Sequence, residues 1–318
     1  MPQDADHGPI STAAALAGPL GRPRLPSPLQ EVADSRFSAY GVRLLLKRDD
    51  LVHTEIPGNK WRKLVPNLAG AAGHTLVTFG GAYSNHLRAT AAAGRLLGLP
   101  TVGLVRGQEL ASRPPNPSLE RCLADGMRLH FVDRSAYRRK TEPEVLDSLL
   151  AAARVERPYV VPEGGSNAAA VRGCAELGRE LAGRADLVAV ACGTGGTLAG
   201  LAAGFTGGAT LGVPVLRGGF LEGEIEALQR AAFGRRTGRW SLDERFHGGG
   251  YGRVPAALES FAQDFEDRHG LAVERRYVAK LLYALTRLAA EGAFAPGTSV
   301  AAVVTGAPEP GAGTGSGG

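Results

Sequence analysis

Lysine is scarce in this chain. Only Lys47, Lys60, Lys63, Lys140 and Lys280 occur, although lysine and arginine together number 36. Arginine carries nearly all the positive charge, so each lysine invites a reason that a guanidinium cannot satisfy. An amine, once desolvated, can lose its proton and act as nucleophile or base, whereas a guanidinium cannot. Cysteine is scarce as well. Cys122, Cys174 and Cys192 lie far apart with no C-x-x-C spacing. That argues against a zinc ribbon or a disulfide framework, fits a reducing, cytoplasmic setting, and leads us to expect no metal site. Aromatic residues make up 6%, and the basic clusters, such as "YRRK" and "GRRTGRW", are small. A nucleic-acid-binding face would need a denser basic surface with stacking rings, so no nucleic-acid partner is expected. No apolar run is long enough for a membrane span. A net charge of +5 supports only the attraction of small anions.

What is present is alternation. "VRLLL" (Val42–Leu46), "TLVTF" (Thr75–Phe79), "TVGLV" (Thr101–Val105), "RLHFV" (Arg128–Val132), "DLVAVA" (Asp186–Ala191) and "SVAAVV" (Ser299–Val304) read as buried strands. Between them, apolar residues recur at helical spacing: Val171, Cys174, Leu177 and Leu181, and again Val278, Leu281, Leu282, Leu285 and Leu288. Strands alternating with helices imply an α/β protein with parallel sheets covered on both faces. "RPPNPSLERC" reads as a proline-rich loop and "HGGGYGRVP" as a glycine-rich one. The first 22 residues read as a flexible leader. The stretch 307–318, rich in glycine, proline and serine, reads as a disordered tail.

Three strand–loop–helix junctions gather polar groups. In "DLVAVACGTGGTLAGLAAG" a strand ends near Cys192, and Gly193, Thr194, Gly195, Gly196 and Thr197 open a helix. Glycines let backbone N–H groups crowd onto one anion, and the helix N-terminus adds partial positive charge, so this loop is a candidate phosphate cradle. It is neither the dinucleotide fingerprint nor a Walker loop. A tight turn in an Ala/Gly-rich chain is the plain alternative. "TFGGAYSNHLRATAAAG" repeats the plan with Ser84, Asn85 and His86, and "VPEGGSNAAAVRGC" with Glu163 to Asn167. Ser84 and Asn85 are good helix caps in their own right. Three such loops suggest one crevice at the carboxyl ends of parallel strands. Lys60, in "IPGNKWRKL", follows a Pro-Gly-Asn turn; read alone, it is a solvated lysine at a helix start.

Taken together, "KRDDL" (Lys47–Leu51), "GNKWRKL" (Gly58–Leu64), "GGAYSNH" (Gly80–His86) and "GTGGT" (Gly193–Thr197) resemble the fold-type-II, tryptophan synthase β-like, pyridoxal-phosphate enzymes. The likeness is to the branch holding D-cysteine desulfhydrase and 1-aminocyclopropane-1-carboxylate (ACC) deaminase, and it runs from about Leu25 to about Gly306. The resemblance implies that Lys60 joins the cofactor covalently, while Lys63 is a motif lysine that does not. It implies that Gly193–Thr197 holds the cofactor phosphate and Asn85 faces its phenolic oxygen. By the same likeness Ser84 meets the substrate carboxylate or joins the proton transfers, and Tyr251 and Tyr277 are active-site tyrosines.

Two positions depart from the pattern. Where the deaminases carry Glu and the desulfhydrases usually Thr, facing the pyridine nitrogen, Val278 stands here. The H-T-G-G pattern becomes "VTGA", which keeps Thr305 as the group beside that nitrogen. The resemblance further implies a large cofactor-binding domain, 1–56 with 161–306, and a small inserted domain, 57–160, with the cofactor in the cleft between them. The expected function is a pyridoxal-phosphate lyase on a small amino acid, with D-cysteine-type β-elimination first and ACC deamination second. A cofactor-loaded binding or accessory protein with little catalysis is the alternative of another class. No membrane partner is expected, and a homodimer is.

Overall fold

The computed structural model describes residues 18–306 and 308. The expected leader up to residue 17, and the expected tail apart from residue 308, lie outside the described residues. In chain order the elements are β1 (Leu29–Val32), α1 (Ser35–Ser38), β2 (Arg43–Lys47), α2 (Asn59–Leu68), β3 (Thr75–Gly80), α3 (Asn85–Leu97), β4 (Thr101–Arg106), α4 (Pro117–Ala124), β5 (Arg128–Val132), α5 (Arg134–Arg138), α6 (Pro143–Ala152) and β6 (Pro158–Val161). They continue with α7 (Ala168–Leu181), β7 (Leu187–Cys192), α8 (Gly196–Gly204), β8 (Ala209–Pro214), α9 (Leu221–Phe233), β9 (Trp240–Leu242), α10 (Ala256–His269), α11 (Val278–Ala290) and β10 (Ser299–Val303). The chain is a mixed α/β protein of parallel-rich sheets and helices.

The chain divides into two compact units. One comprises residues 24–59 and 174–318 as far as they are described. It holds a six-stranded sheet in the order β1-β2-β10-β7-β8-β9. Only the β1–β2 pair is antiparallel. Strand β10, from the end of the chain, pairs with β2, from its beginning, with Val303 opposite Lys47. Strands β7 and β10 are buried almost throughout, as a parallel sheet covered on both faces requires. Helices α10 and α11 pack Phe265, Val278, Leu281, Leu282 and Leu285 onto one face of this sheet. On the same unit α7 and α8 meet backbone to backbone, because a Cβ at Gly204 would lie 1.9 Å from the Ala175 carbonyl oxygen.

The other unit comprises residues 60–173 together with the described residues up to Pro23. Its four-stranded sheet, β5-β4-β3-β6, is parallel throughout. Apolar clusters built around Phe79, Leu104 and Tyr137 and around Leu87, Leu119 and Met127 form its core. By contact, the division falls at Lys60 and after Gly173, where the sequence suggested Pro57 and Val160. Strand β6 pairs with β3. The turn that follows it is fixed to α2 by Lys63, whose Nζ donates to the Gly164 carbonyl and to Ser166 Oγ.

Four strands are absent from the expected set: β1, β6, β8 and β9. In addition, "RPPNPSLERC" is only partly a loop. Asn116 caps a helix that begins at Pro117, its Oδ1 accepting the Leu119 N–H at 3.0 Å. Proline suits that first helical position, where an N–H has no intrahelical partner. Among the described residues no helix is long and apolar enough to cross a membrane.

Candidate active site

In the unit that contains residues 60–173, the sequence-selected residues sit on two helix starts. Lys60 is the second residue of α2 and is half-buried. Lys63, nearly one turn on, is 3% exposed. Its amine is committed at 3.0 Å to the Gly164 carbonyl and at 2.9 Å to Ser166 Oγ. Asn67 and Asn167 bond each other at 2.6 Å and tie the same turn to α2. Ser84 is the N-cap of α3, with Oγ accepting the Leu87 N–H at 3.3 Å. Gly80, at the end of β3, leaves room for this cap, since a Cβ there would fall 2.6 Å from Ser84 Oγ. Asn85 opens the helix and accepts from Arg88 through Oδ1. His86 is buried, with Nε2 2.8 Å from Thr78 Oγ1, whose hydroxyl donates to the Val161 carbonyl. That places the imidazole proton on Nε2. Burial first, and then the charges of Lys60 and Lys63, hold the His86 pKa well below its ordinary value, so the ring is neutral.

In the other unit, β7 runs into α8 through Gly193–Gly195. Gly195 caps the helix with φ +75° and offers no side chain. A Cβ there would meet Ile225 Cγ1 at 2.5 Å, so the position demands glycine for space as well as for backbone angle. The first N–H groups of a helix lack intrahelical partners, and the first turn of α8 holds no acidic residue. The loop therefore presents donors and partial positive charge. Thr197 Oγ1 accepts from Asn59 Nδ2 at 2.8 Å, which leaves its own proton for another acceptor. The Asn59 N–H reaches the Thr305 carbonyl at 3.3 Å. Gly58, with φ +68°, lies so close that a Cβ would be 1.7 Å from that same oxygen. The Pro-Gly-Asn turn thus rests on the segment after β10 and on the start of α8 at once.

Two phenols complete this side. A Cβ at Gly193 would lie 3.2 Å from the Tyr277 hydroxyl. The Tyr277 and Tyr251 rings meet edge to face, with centroids 6.0 Å apart and planes at 69°. Burial first, and then the neighbouring Tyr251 phenol, push the Tyr277 pKa well above its ordinary value. The raised pKa favours the protonated phenol, which can donate a hydrogen bond. Glu274 lies just before α11, its carboxyl oxygens accepting the N–H groups of Arg276 at 2.9 Å and Tyr277 at 2.7 Å. Val278 is 2% exposed and belongs to the apolar core with Val304 and Phe265.

A family model for pyridoxal-phosphate dependent enzymes matches residues 22–306. The chain belongs to that family. It is 35% identical over 183 residues to the mitochondrial bifunctional D-cysteine desulfhydrase/1-aminocyclopropane-1-carboxylate deaminase of Arabidopsis thaliana, a match covering 52% of this chain and 45% of that protein. It is 36% identical over 174 residues to a putative 1-aminocyclopropane-1-carboxylate deaminase of Pyrococcus abyssi (strain GE5 / Orsay), covering 52% of each. The chain spans about half the length of these curated relatives. Among solved structures, the crystal structure of an ACC deaminase homologue superposes with a TM-score of 0.74 at 26% identity, covering 93% of this chain and 94% of that one. The processed form of threonine deaminase isoform 2 from Solanum lycopersicum superposes with a TM-score of 0.64 at 14% identity, over 98% and 88%, and supports the fold alone.

The residues of this pyridoxal-phosphate enzyme fit its cofactor. The glycine-only cap of α8, closed to a Cβ at Gly195 and unopposed by acid, suits a phosphate dianion. Gly193, Tyr277, Tyr251, Thr197 and Thr305 are brought together within one unit, the last two through Asn59. Thr194 belongs to the same loop. Gly196 and Thr197, expected in the loop, form the first turn of α8. Lys60, Ser84 and Asn85 belong to the other unit, and there Ser84 and Asn85 share one helix start. Sequence reasoning assigned no role to Asn59 or Lys280. The signal for Asn59 was its place inside the quoted "GNK"; for Lys280 it was the scarcity of lysine.

Proposed function

We propose that this enzyme is a lyase acting on a small amino acid, and that its reaction is D-cysteine-type β-elimination to pyruvate, ammonia and sulfide. The observation that carries the reading is a phenol, Tyr277, kept protonated by burial and set over Gly193 of the phosphate loop. When bound, pyridoxal phosphate supplies a sink for the electrons left when Cα loses its proton. In this reading Lys60 carries the cofactor and its amine later takes and holds the Cα proton. The amides and hydroxyls of Gly193–Thr197 hold the phosphate, Asn85 faces the phenolic oxygen, and Ser84 receives the substrate carboxylate or joins the proton transfers. The C–S bond breaks with its electron pair going to sulfur, and Tyr277, backed by Tyr251, donates a proton to the departing thiolate. Thr305 offers a hydroxyl to the ring nitrogen. Position 278 supplies no carboxylate to keep that nitrogen protonated, which weakens the sink and favours substrates whose leaving group removes the electrons.

ACC deamination is the second reading, favoured by the names of the Pyrococcus relative and of the superposed homologue. A screen of D- and L-amino acids and of ACC for α-keto acid release separates the two. D-cysteine should turn over fastest. Turnover of ACC alone would replace the first reading by the second, and no release from any substrate would leave a cofactor-loaded binding protein. A homodimer and a cytoplasmic location belong to the same proposal. Three buried cysteines, none in a disulfide among the described residues, suit a reducing compartment, and light scattering on the purified protein tests the dimer.

A further inference from the structure

Lys280 is fully buried on α11. Its Nζ donates to the Gly250 carbonyl at 2.9 Å. Among the described residues it forms no ion pair, in contrast to Lys47, which is equally buried and meets Glu180 at 2.6 Å. Charge pairing therefore does not account for a lysine at 280. The Gly250 carbonyl belongs to the glycine-rich loop that carries Tyr251, where Gly248, Gly249, Gly250 and Gly252 all have positive φ. Such a run has little backbone restraint of its own, since glycine gives up more conformational freedom on ordering than any other residue. Its local bonds are few: Gly249 N–H to His247 Nδ1 at 2.9 Å, Gly250 N–H to the His247 carbonyl at 3.2 Å, and Arg253 N–H to the Gly250 carbonyl at 3.2 Å, longer than the lysine's bond to the same oxygen. One side of the loop opens on a pocket of about 460 Å³ lined by Gly248, Gly249, Arg253, Val254 and Pro255. The lysine stem is close as well, since a Cβ at Gly248 would come 3.2 Å from Lys280 Cε.

We propose that Lys280 is a positioning residue that tethers the 247–252 loop and thereby sets Tyr251 against Tyr277. Tyr277 stands immediately before α11, and Lys280 lies in the first turn of that helix. The start of α11 thus makes two consecutive contacts with the loop, Lys280 at Gly250 and Tyr277 at Tyr251. A lysine serves where an arginine would not, because a slim stem with a compact head fits beneath a glycine backbone and a planar fork does not. The proposal rests on the reading that the two tyrosines face the substrate.

The test is Lys280→Met, which keeps the stem and removes the donor, with Lys280→Gln as a shorter donor that should behave between parent and Met. Hydrogen exchange of the 247–252 amides, followed in protein both with and without pyridoxal phosphate, should speed up at least tenfold in Lys280→Met. Turnover should fall at least tenfold in kcat, with cofactor affinity kept within threefold. Adding Tyr251→Phe to Lys280→Met should cost much less than Tyr251→Phe costs alone, because a tyrosine already out of place has little left to lose. Unchanged exchange in both lysine variants overturns the tether, whatever happens to turnover. Tyr251→Phe turning over like the parent overturns the functional reading of the tyrosines instead, and the exchange result still decides the tether.

Discussion

The Asn59 side-chain amide donates to Thr197 Oγ1 at 2.8 Å, and the Asn59 N–H reaches the Thr305 carbonyl at 3.3 Å. The residue immediately before Lys60 is thus fixed to the first turn of α8, where the proposed phosphate cradle lies. Replacing Asn59 with Ala strips Thr197, 5% exposed, of its donor. An unmet buried polar group costs about 1–3 kcal/mol, so the dissociation constant for pyridoxal phosphate should rise about tenfold. Titration of the apo-protein by absorbance measures it. A lower melting temperature with unchanged affinity would assign Asn59 to the fold and not to the cradle.

Borohydride fixes pyridoxal phosphate to the amine that carries it, and peptide mapping should then mark Lys60. Lys63 and Lys280 already donate to oxygen acceptors at 2.9–3.0 Å, and Lys47 is paired with Glu180. A label on any of these lysines, or on none, removes the assignment.

Gly195→Asp places a side chain where a Cβ alone would come 2.5 Å from Ile225 Cγ1, and adds a negative charge beside the helix N-terminus. Losing one charge-assisted hydrogen bond costs about 1.5–3 kcal/mol before any repulsion, so cofactor affinity should drop well over tenfold. Gly195→Ala shares the backbone strain without the charge and serves as the comparison, with circular dichroism reporting the fold. Equal affinities for the Asp and Ala variants would show that no anion sits there.

Burial pulls the Lys280 amine down to about 8, with the Glu274 carboxylate opposing the shift. An unfolded lysine titrates near 10.4. The folded chain therefore sheds this proton first, and between about pH 8 and 10.4 the unfolded state binds more protons, so stability should rise with pH through that window. Lys280→Met lacks this contribution. Melting temperatures at pH 7.5, 8.5 and 9.5 should show the parent gaining on the variant as pH increases; a constant gap would mean that the buried amine does not titrate there.

Much of the architecture is legible in the sequence because the central strands are continuous apolar runs: β3, β4, β7 and β10 all stand within a residue of their expected bounds. The strands that escape notice sit at or next to sheet edges. Strand β1 is LQEV, whose exposed Glu31 pairs with Arg43, and β6 opens on a proline. Strand β8 carries Gly212 and ends at Pro214, and β9 spans three residues. Edge strands are short and polar for sound physical reasons, and so they leave little periodicity to read. At the site, glycine loops and helix caps announce themselves locally. Asn59 and Lys280 do not, since their partners, Thr197 and Thr305 for the one and Gly250 for the other, are distant in sequence and only the fold brings them within reach. Val278 shows the limit from the other side: the sequence marks it as the residue that follows Tyr277, but only the structure packs it with Val304 in the core.

The distribution of lysines has a consequence for the outer surface. Lys47 and Lys280 are fully buried, Lys63 nearly so, Lys60 half-buried, and Lys140 is folded against Tyr137 and Glu163. No lysine of the chain is exposed, and its solvent-facing cations are guanidinium groups. Acylating reagents aimed at amines should find few side-chain handles on the native protein and many more once it opens, so lysine acylation becomes a gauge of unfolding. In alkaline buffer, where an ammonium-coated protein discharges and clumps, this coat keeps its charge.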